Sequence, residues 1–403
     1  MAKKGQHKWV KFRHKVITKL AYIFFYMAVR FKYGAKITKM SRKDKGQYLI
    51  LFNHQTDYDQ FFVGCAFRTP VYYVASEDLF SKGFISKLLK WAVAPIPIKK
   101  QSTDVRAVMN CIRVAKEGGT IALAPEGNRT YSGKTEHINE AICGLCKALK
   151  LPIAFFRIEE GYGVHPRWSN KPRHGKMRAY TSRVMQPEEY LNMDNAELYE
   201  IIKKELYVNE GALSGAFKSN KRAEYLERAI YVCPHCGFST FESHGNFMEC
   251  KKCSLKIEYL ETKQLKAVSG NLPFEFVTEW YDYQASFINS FDVRTVTEKP
   301  LYEERVTLYK VIPYKNKKKI ESEAIVRLFG DRIVVEGVKT REFSFDEAYA
   351  FAVLGRNKLN VYIGKDLWQI KGSKRFNALK YVHFYYRYNN LKKGDDNVLF
   401  LGL

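Results

Sequence analysis

Between about Gln47 and Arg183, short apolar runs alternate with helical stretches, and this alternation constrains the chain more than any other feature. The runs are YLILF, VYYVA, TIALA, LPIAFF and MRAYTS. Residues 57–67, 82–93, 102–117 and 137–149 read as helices between them. Parallel strands need crossover connections, and helices supply them, so the pattern predicts an α/β domain with a mostly parallel sheet. Residues 187–228 read as a charged, helical tail to that domain. The character then changes at YVCPHCGFSTFESHGNFMECKKCSLKIEYLE. From about 275 the chain is strand-rich (RVTLYKVIPY, EAIVRLF, DRIVVEG, REFSF, YAFAVLG, KLNVYIG, DLWQIKG) and closes on the helical RFNALKYVHFYYRY. That predicts a small antiparallel barrel or sandwich capped by a helix. The expected divisions are 1–45, 46–228, 229–262 and 275–403.

Charge separates the first of these from the rest. The 403 residues hold 67 Lys+Arg against 42 Asp+Glu, formally +25. Residues 1–50 carry fourteen of the cations and one acid, Asp44. Such an excess calls for an anionic partner, nucleic acid or a phospholipid surface. In KWVKFRHKVITKLAYIFFYMAVRFKYG the cations interleave with Trp9, Phe12, Val16, Leu20, Ile23, Phe24, Phe25, Met27 and Phe31 at helical spacing. Its longest uncharged stretch, LAYIFFYMAV, is ten residues, and a spanning helix needs about 20. No small-residue cleavage site follows, so this is not read as a signal peptide. One or two amphipathic helices in the interface of an anionic membrane are expected. The eight cysteines, without a secretion signal, point to a reducing compartment. The expected location is cytoplasmic, peripheral on the inner face of the membrane.

The run YLILF ends in FNHQTDYDQ. His54 and Asp59 are five apart, which puts them on different faces of a continuous helix. They can meet if His54 sits on the loop leaving the strand and Asp59 in the first turn of the next helix, with Thr56 or Asp57 as its cap. A carboxylate there fixes the imidazole tautomer and makes a general base at the carboxyl end of a strand. Taken alone, such a pair is more often a cap beside a satisfied polar side chain. TIALAPEGNRTYSG repeats the strand-into-loop arrangement and brings Glu126, Gly127, Asn128 and Arg129. Glycine permits close backbone approach, and Arg129 offers a planar fork for phosphate; the bland reading is a surface turn. PIPIKK between them delivers Lys99 and Lys100, or merely a solvated basic edge.

NHQTDYD, IPIKK, APEGNRT and LPIAFF together resemble, in order and spacing over roughly residues 20–185, the four blocks of the glycerolipid acyltransferases of the lysophosphatidate acyltransferase superfamily. The family often has Arg where Lys100 stands. Its third block is usually written Phe-Pro-Glu-Gly-Thr-Arg-Ser, so Asn128 and Thr130 replace Thr and Ser. EEGYGVHPRWSNKPRHG is longer and more aromatic than in the shortest members. The resemblance implies an O-acyltransferase in which His54 is the base and Asp59 its orienter. Glu126, Gly127 and Asn128 would bind the glycerol acceptor, and Arg129 and Lys100 its phosphate. The implied partners are a lysophospholipid acceptor, foremost 1-acylglycerol-3-phosphate, and an acyl-CoA or acyl carrier protein donor. No catalytic cofactor is implied.

Cys233-Pro-His-Cys236, thirteen residues, then Cys250-Lys-Lys-Cys253 is the spacing of a zinc ribbon, with four thiolates filling a tetrahedral, structural site. Gly237 allows the first knuckle to turn back, and His235 and His244 read as bystanders. Cys143 and Cys146 lie in a helical stretch without a partner knuckle and read as buried free thiols. The rival function is a nucleic-acid- or protein-binding ribbon scaffold on a degenerate acyltransferase core. The densest charge accompanies the apolar N-terminal helix and not the ribbon, so no nucleic acid is expected. The strand count and final helix of 275–403 resemble a pleckstrin-homology-like barrel.

Overall fold

A computed structural model describes residues 8–41, 46–76, 79–80, 83–98, 104–312 and 317–394. The chain divides into two compact units. The first comprises Met1–Thr130, Thr135–Val164 and His174–Asn209; the second comprises Tyr131–Lys134, His165–Arg173 and Glu210–Leu403.

The first unit opens with helix α1 (Phe12–Tyr33) and strand β1 (Ala35–Ile37). Gly34 between them has φ +59°, and a Cβ there would lie 2.1 Å from the Gly175 carbonyl oxygen, so only glycine fits this turn. Then follow β2 (Leu49–Phe52), α2 (Asp59–Phe67), β3 (Val71–Ser76), α3 (Phe84–Ala92), β4 (Ile96–Ile98), α4 (Val105–Lys116) and β5 (Thr120–Leu123). The unit ends with α5 (Ala141–Leu149), β6 (Ile153–Glu159), α6 (Gly161–Val164), β7 (Met177–Met185), α7 (Pro187–Tyr190) and α8 (Asn195–Leu206). The sheet order is β1-β7-β6-β2-β5-β3-β4. Strands β2 to β6 run parallel, and β7 is antiparallel to β6. Every residue of β2 is buried, as an apolar run covered on both faces requires. Asp104 caps α4 by accepting from the amides of Arg106 and Ala107. Helices α4, α5 and α8 cover one face of the sheet, meeting it in a core that contains Leu49, Ile121, Ile153, Phe155 and Leu198. Cys143 and Cys146 are buried in that core as free thiols.

In the second unit β8 (Val232–Cys233) and β9 (Gly237–Phe238) form a hairpin. A four-stranded antiparallel sheet follows: β10 (Phe241–His244), β11 (Phe247–Cys250), β12 (Lys256–Tyr259) and β13 (Leu265–Ser269). Helix α9 (Val277–Ser290) leads to seven antiparallel strands: β14 (Tyr302–Val311), β15 (Lys317–Leu328), β16 (Arg332–Glu336), β17 (Arg341–Ser344), β18 (Ala348–Leu354), β19 (Lys358–Ile363) and β20 (Asp366–Gly372). Helix α10 (Leu379–Lys392) comes last, its Tyr385 ring stacked on Phe351 at 4.5 Å.

Three expectations need correction. Helix in 187–228 ends at Leu206; beyond it, described residues up to the short turn at Leu226–Arg228 are irregular, in a stretch with Asn209, Gly211 and Gly215. The C-terminal strands are neither a closed barrel nor a sandwich but one half-barrel sheet of order β17-β16-β15-β14-β20-β19-β18, whose edges do not pair among the described residues. And α9 lies at the start of a region read as strands.

Candidate active site

Strand β2 ends at Phe52 and α2 begins at Asp59, so FNHQTDYDQ is the connection between them. His54 Nδ1 lies 2.7 Å from Asp59 Oδ2, with the imidazole a quarter exposed and the carboxylate fully buried. Asp59 also accepts from the amides of Gln55 (2.7 Å) and Thr56 (3.0 Å) and from Thr56 Oγ1 (2.6 Å). Because all these neighbours donate, the carboxylate acts only as an acceptor. The neutral His54 tautomer that suits this carboxylate donates through Nδ1 and leaves Nε2 as its acceptor nitrogen. Asp59 in the first helical turn is also well placed for the helix dipole. Neither Thr56 nor Asp57 caps α2. The N-cap is Tyr58, without a side-chain cap bond, and Asp57 Oδ1 instead lies 2.6 Å from Arg129 Nη1.

The loop after β5 is laced to this one. Glu126 Oε1 accepts from the His54 amide at 2.7 Å, and Oε2 from the Glu136 amide at 2.8 Å. The Thr130 amide donates to the His54 carbonyl at 3.1 Å. Glu126 thus turns its carboxyl group to backbone. Its burial pushes its pKa from 4.5 up to about 8, against the lowering effect of those two amides. Gly127 has φ +69° with open space where a Cβ would stand, so its backbone conformation, not crowding, favours glycine. Asn128 and Arg129 are buried. Lys99 and Lys100 lie outside the described residues.

Sequence reasoning missed three contributors. Asn53 donates through Nδ2 to the Ile158 carbonyl (2.8 Å) and accepts through Oδ1 from its amide (2.7 Å), tying the loop to β6. Thr56 joins the Asp59 carboxylate as described. Gly161, just beyond β6, leaves room for the loop: a Cβ there would lie 2.8 Å from Gln55 Cβ. Asn53, a polar residue directly after an apolar strand, carried a readable signal; Gly161 carried none.

Residues 34–156, which include both loops, match the family model for Acyltransferase. This stretch is an acyltransferase-family domain. It is the family to which the four blocks pointed. The crystal structure of the 1-acyl-sn-glycerophosphate (LPA) acyltransferase PlsC from Thermotoga maritima is similar at 17% identity and a TM-score of 0.41, over 47% of this chain and 78% of that one. No curated protein matches. The acyltransferase domain carries His54 and Asp59 on one of its loops, and Glu126 and Arg129 on the other.

In the second unit the Sγ atoms of Cys233, Cys236, Cys250 and Cys253 lie within 4.8 Å of one another. Cys233 and Cys253 approach to 3.5 Å, and Cys236 and Cys250 to 3.6 Å. Gly237 takes φ +69° as the first knuckle turns back. His235 and His244 are outside the cluster: His235 faces the Asn271 carbonyl, and His244 lies beside Glu242.

Proposed function

We propose that the acyltransferase domain moves a fatty acyl group from an acyl thioester, on coenzyme A or acyl carrier protein, to the free hydroxyl of a lysophospholipid, with 1-acylglycerol-3-phosphate as the acceptor. The observation that carries this reading is the buried Asp59 carboxylate on His54 Nδ1, 2.7 Å away. His54 Nε2 takes the proton of the acceptor hydroxyl, and Asp59 stabilises the imidazolium that forms. The acceptor oxygen bonds to the thioester carbonyl carbon, the carbon–sulfur bond breaks, and the imidazolium returns the proton to the leaving thiolate. Glu126 acts through the His54 amide as a positioning group. Gly127 and Asn128 face the glycerol moiety, and Arg129, resting on Asp57, takes up the acceptor phosphate together with Lys100.

The membrane supplies the acceptor. No helix among the described residues is long and apolar enough to cross a membrane. Helix α1 nevertheless exposes Phe12, Leu20, Ile23, Phe24, Met27 and Phe31, and carries no acidic residue to oppose anionic headgroups. This supports peripheral attachment, which also fits a cytoplasmic enzyme at the inner face.

The four cysteines fit structural zinc. Zn–S bonds of about 2.3 Å in a tetrahedron set the sulfurs about 3.8 Å apart, close to the two separations given above. Cys233, Cys236, Cys250 and Cys253 would hold the ion as thiolates. With all four positions taken by protein, it supplies folding energy and no catalytic chemistry.

His54→Ala should lower acyl transfer from a thioester to lysophosphatidate by about 10²–10⁴-fold, with an unchanged circular dichroism spectrum. Transfer at the wild-type rate would refute the role of His54.

A further inference from the structure

The half-barrel sheet carries a cationic face that the acyl-transfer reading does not use. Lys358 on β19 stands directly opposite Lys371 on β20, and Lys371 opposite Thr307 on β14. On β15, Lys319 stands opposite Tyr309 and Lys317 opposite Val311. Strand alternation puts Lys371 on the same side as Gln369, and Lys358 on the same side as Asn360. Lys317 joins that side, because its Nζ donates to Gln369 Oε1 at 3.2 Å and sits 4.2 Å over the Tyr309 ring. Four lysines from three strands therefore gather on one side of the sheet. Beneath them is a polar floor, in which Gln369 Nε2 donates to Asn360 Oδ1 at 3.0 Å and both residues are buried.

Like charges opposite one another on neighbouring strands repel. Lys317, two strands away, also feels Lys371: burial first, and then the charge of Lys371, lower its pKa. Two carboxylates of these strands are engaged elsewhere. Asp366 pairs with Lys310 on the other side of the sheet, and Glu321 pairs with Arg341. Among the described residues Lys317, Lys319 and Lys371 form no ion pair.

From this arrangement we infer that the Lys317–Lys319–Lys358–Lys371 face of the half-barrel is a binding site for a phosphate-bearing anion. A phosphate group with two negative charges would bridge lysines across this side of the sheet, and buried amides at the floor would fix its orientation. The same chemistry is offered by a phospholipid headgroup and by a soluble phosphorylated compound.

Two measurements on the full chain separate these sources: calorimetric titration with inorganic pyrophosphate, and sedimentation with phosphatidylcholine vesicles with or without phosphatidate. Wild type is compared with K317Q/K371Q and with K266Q/K318Q, which removes the same charge from exposed positions elsewhere. K317Q/K371Q should bind at least fivefold more weakly, and K266Q/K318Q within twofold of wild type. Weakening in the vesicle arm identifies a lipid headgroup. Weakening confined to pyrophosphate identifies a soluble ligand. Equal affinities for the two double variants, or no binding in either arm, overturn the site.

Discussion

At the scale of the residue, one carboxyl group, that of Glu126, holds two loops together. Its pKa, raised to about 8 from 4.5 by burial, means that the folded chain binds this proton more tightly than the unfolded chain. The associated stability is fully present below about pH 4.5 and is lost as pH rises through about 8. Glu126→Gln should flatten that dependence. It should also cost about 1–3 kcal/mol, because an amide NH₂ would then face one of the two backbone donors. Urea midpoints at pH 5 and pH 8 test this; an undiminished difference in the variant would assign the slope to other groups. Legibility varies by residue in the same site. The pairing of His54 with Asp59 could be read from five positions of sequence, because a strand end and a helix start fix the loop between them. Asn53 announced itself only as a polar residue after an apolar strand, its partner Ile158 lying 105 residues away, and Gly161 gave no sign of its neighbour Gln55, 106 residues away along the chain.

At the scale of the element, α1 is apolar on two sides. Val29 and Tyr33 are buried, and Phe25 stacks on Phe61 at 4.1 Å, fastening the helix to α2. The opposite stripe, Leu20, Phe24, Met27 and Phe31, faces outward. A helix that needed only one packing face would be polar there. Each large side chain buried in lipid contributes about 1.5–3 kcal/mol. Leu20→Glu with Phe24→Glu should therefore cut binding to anionic vesicles by more than about tenfold, while activity on detergent-dispersed lysophosphatidate stays within twofold. Unchanged vesicle partition would disconnect α1 from the membrane. The helical spacing of α1 was legible because its apolar residues recur over five turns. That of α9 was hidden: VTEWYDYQASFINS is rich in aromatic and β-branched residues, which favour strands when local preference alone decides. Tertiary contacts decide otherwise. Trp280 Nε1 donates to the Val232 carbonyl, Gln284 Oε1 accepts from the Tyr231 and Val232 amides, and Glu279 accepts from the Glu275 amide at the helix start.

At the scale of the molecule, the cysteine cluster stands in the second unit, which also holds the buried Arg173 and Arg228. Chelation of its metal should lower the thermal midpoint of the intact chain, and metal analysis of purified protein should find one zinc per chain. Protein purified without metal and indifferent to chelator would mean that the four thiols pack unaided. The gathering of the four cysteines was legible, since thiolate chemistry fixes both ligand type and spacing. The unit boundaries were not, because they follow contacts and not composition. Residues 131–134 fall inside the family match and 165–173 just beyond it, yet both belong to the second unit. There the Ser132 carbonyl accepts from Thr278 Oγ1 at 2.8 Å, and the Trp168 carbonyl accepts from Arg228 Nη1 at 2.7 Å. Arg173 lies between the rings of Trp168 and Tyr259, and Arg356 Nε donates to the Ser169 carbonyl.

That interleaving sets a timetable for the nascent chain. Domains usually fold in the order in which they leave the ribosome. Here Trp168 waits 60 residues for Arg228, Ser132 waits 146 for Thr278, and Ser169 waits 187 for Arg356. The segment that follows the Glu126 loop therefore finds its partners only when most of the protein has been made. A message cut short after residue 209 would encode every group assigned to acyl transfer and none of Arg228, Thr278 and Arg356.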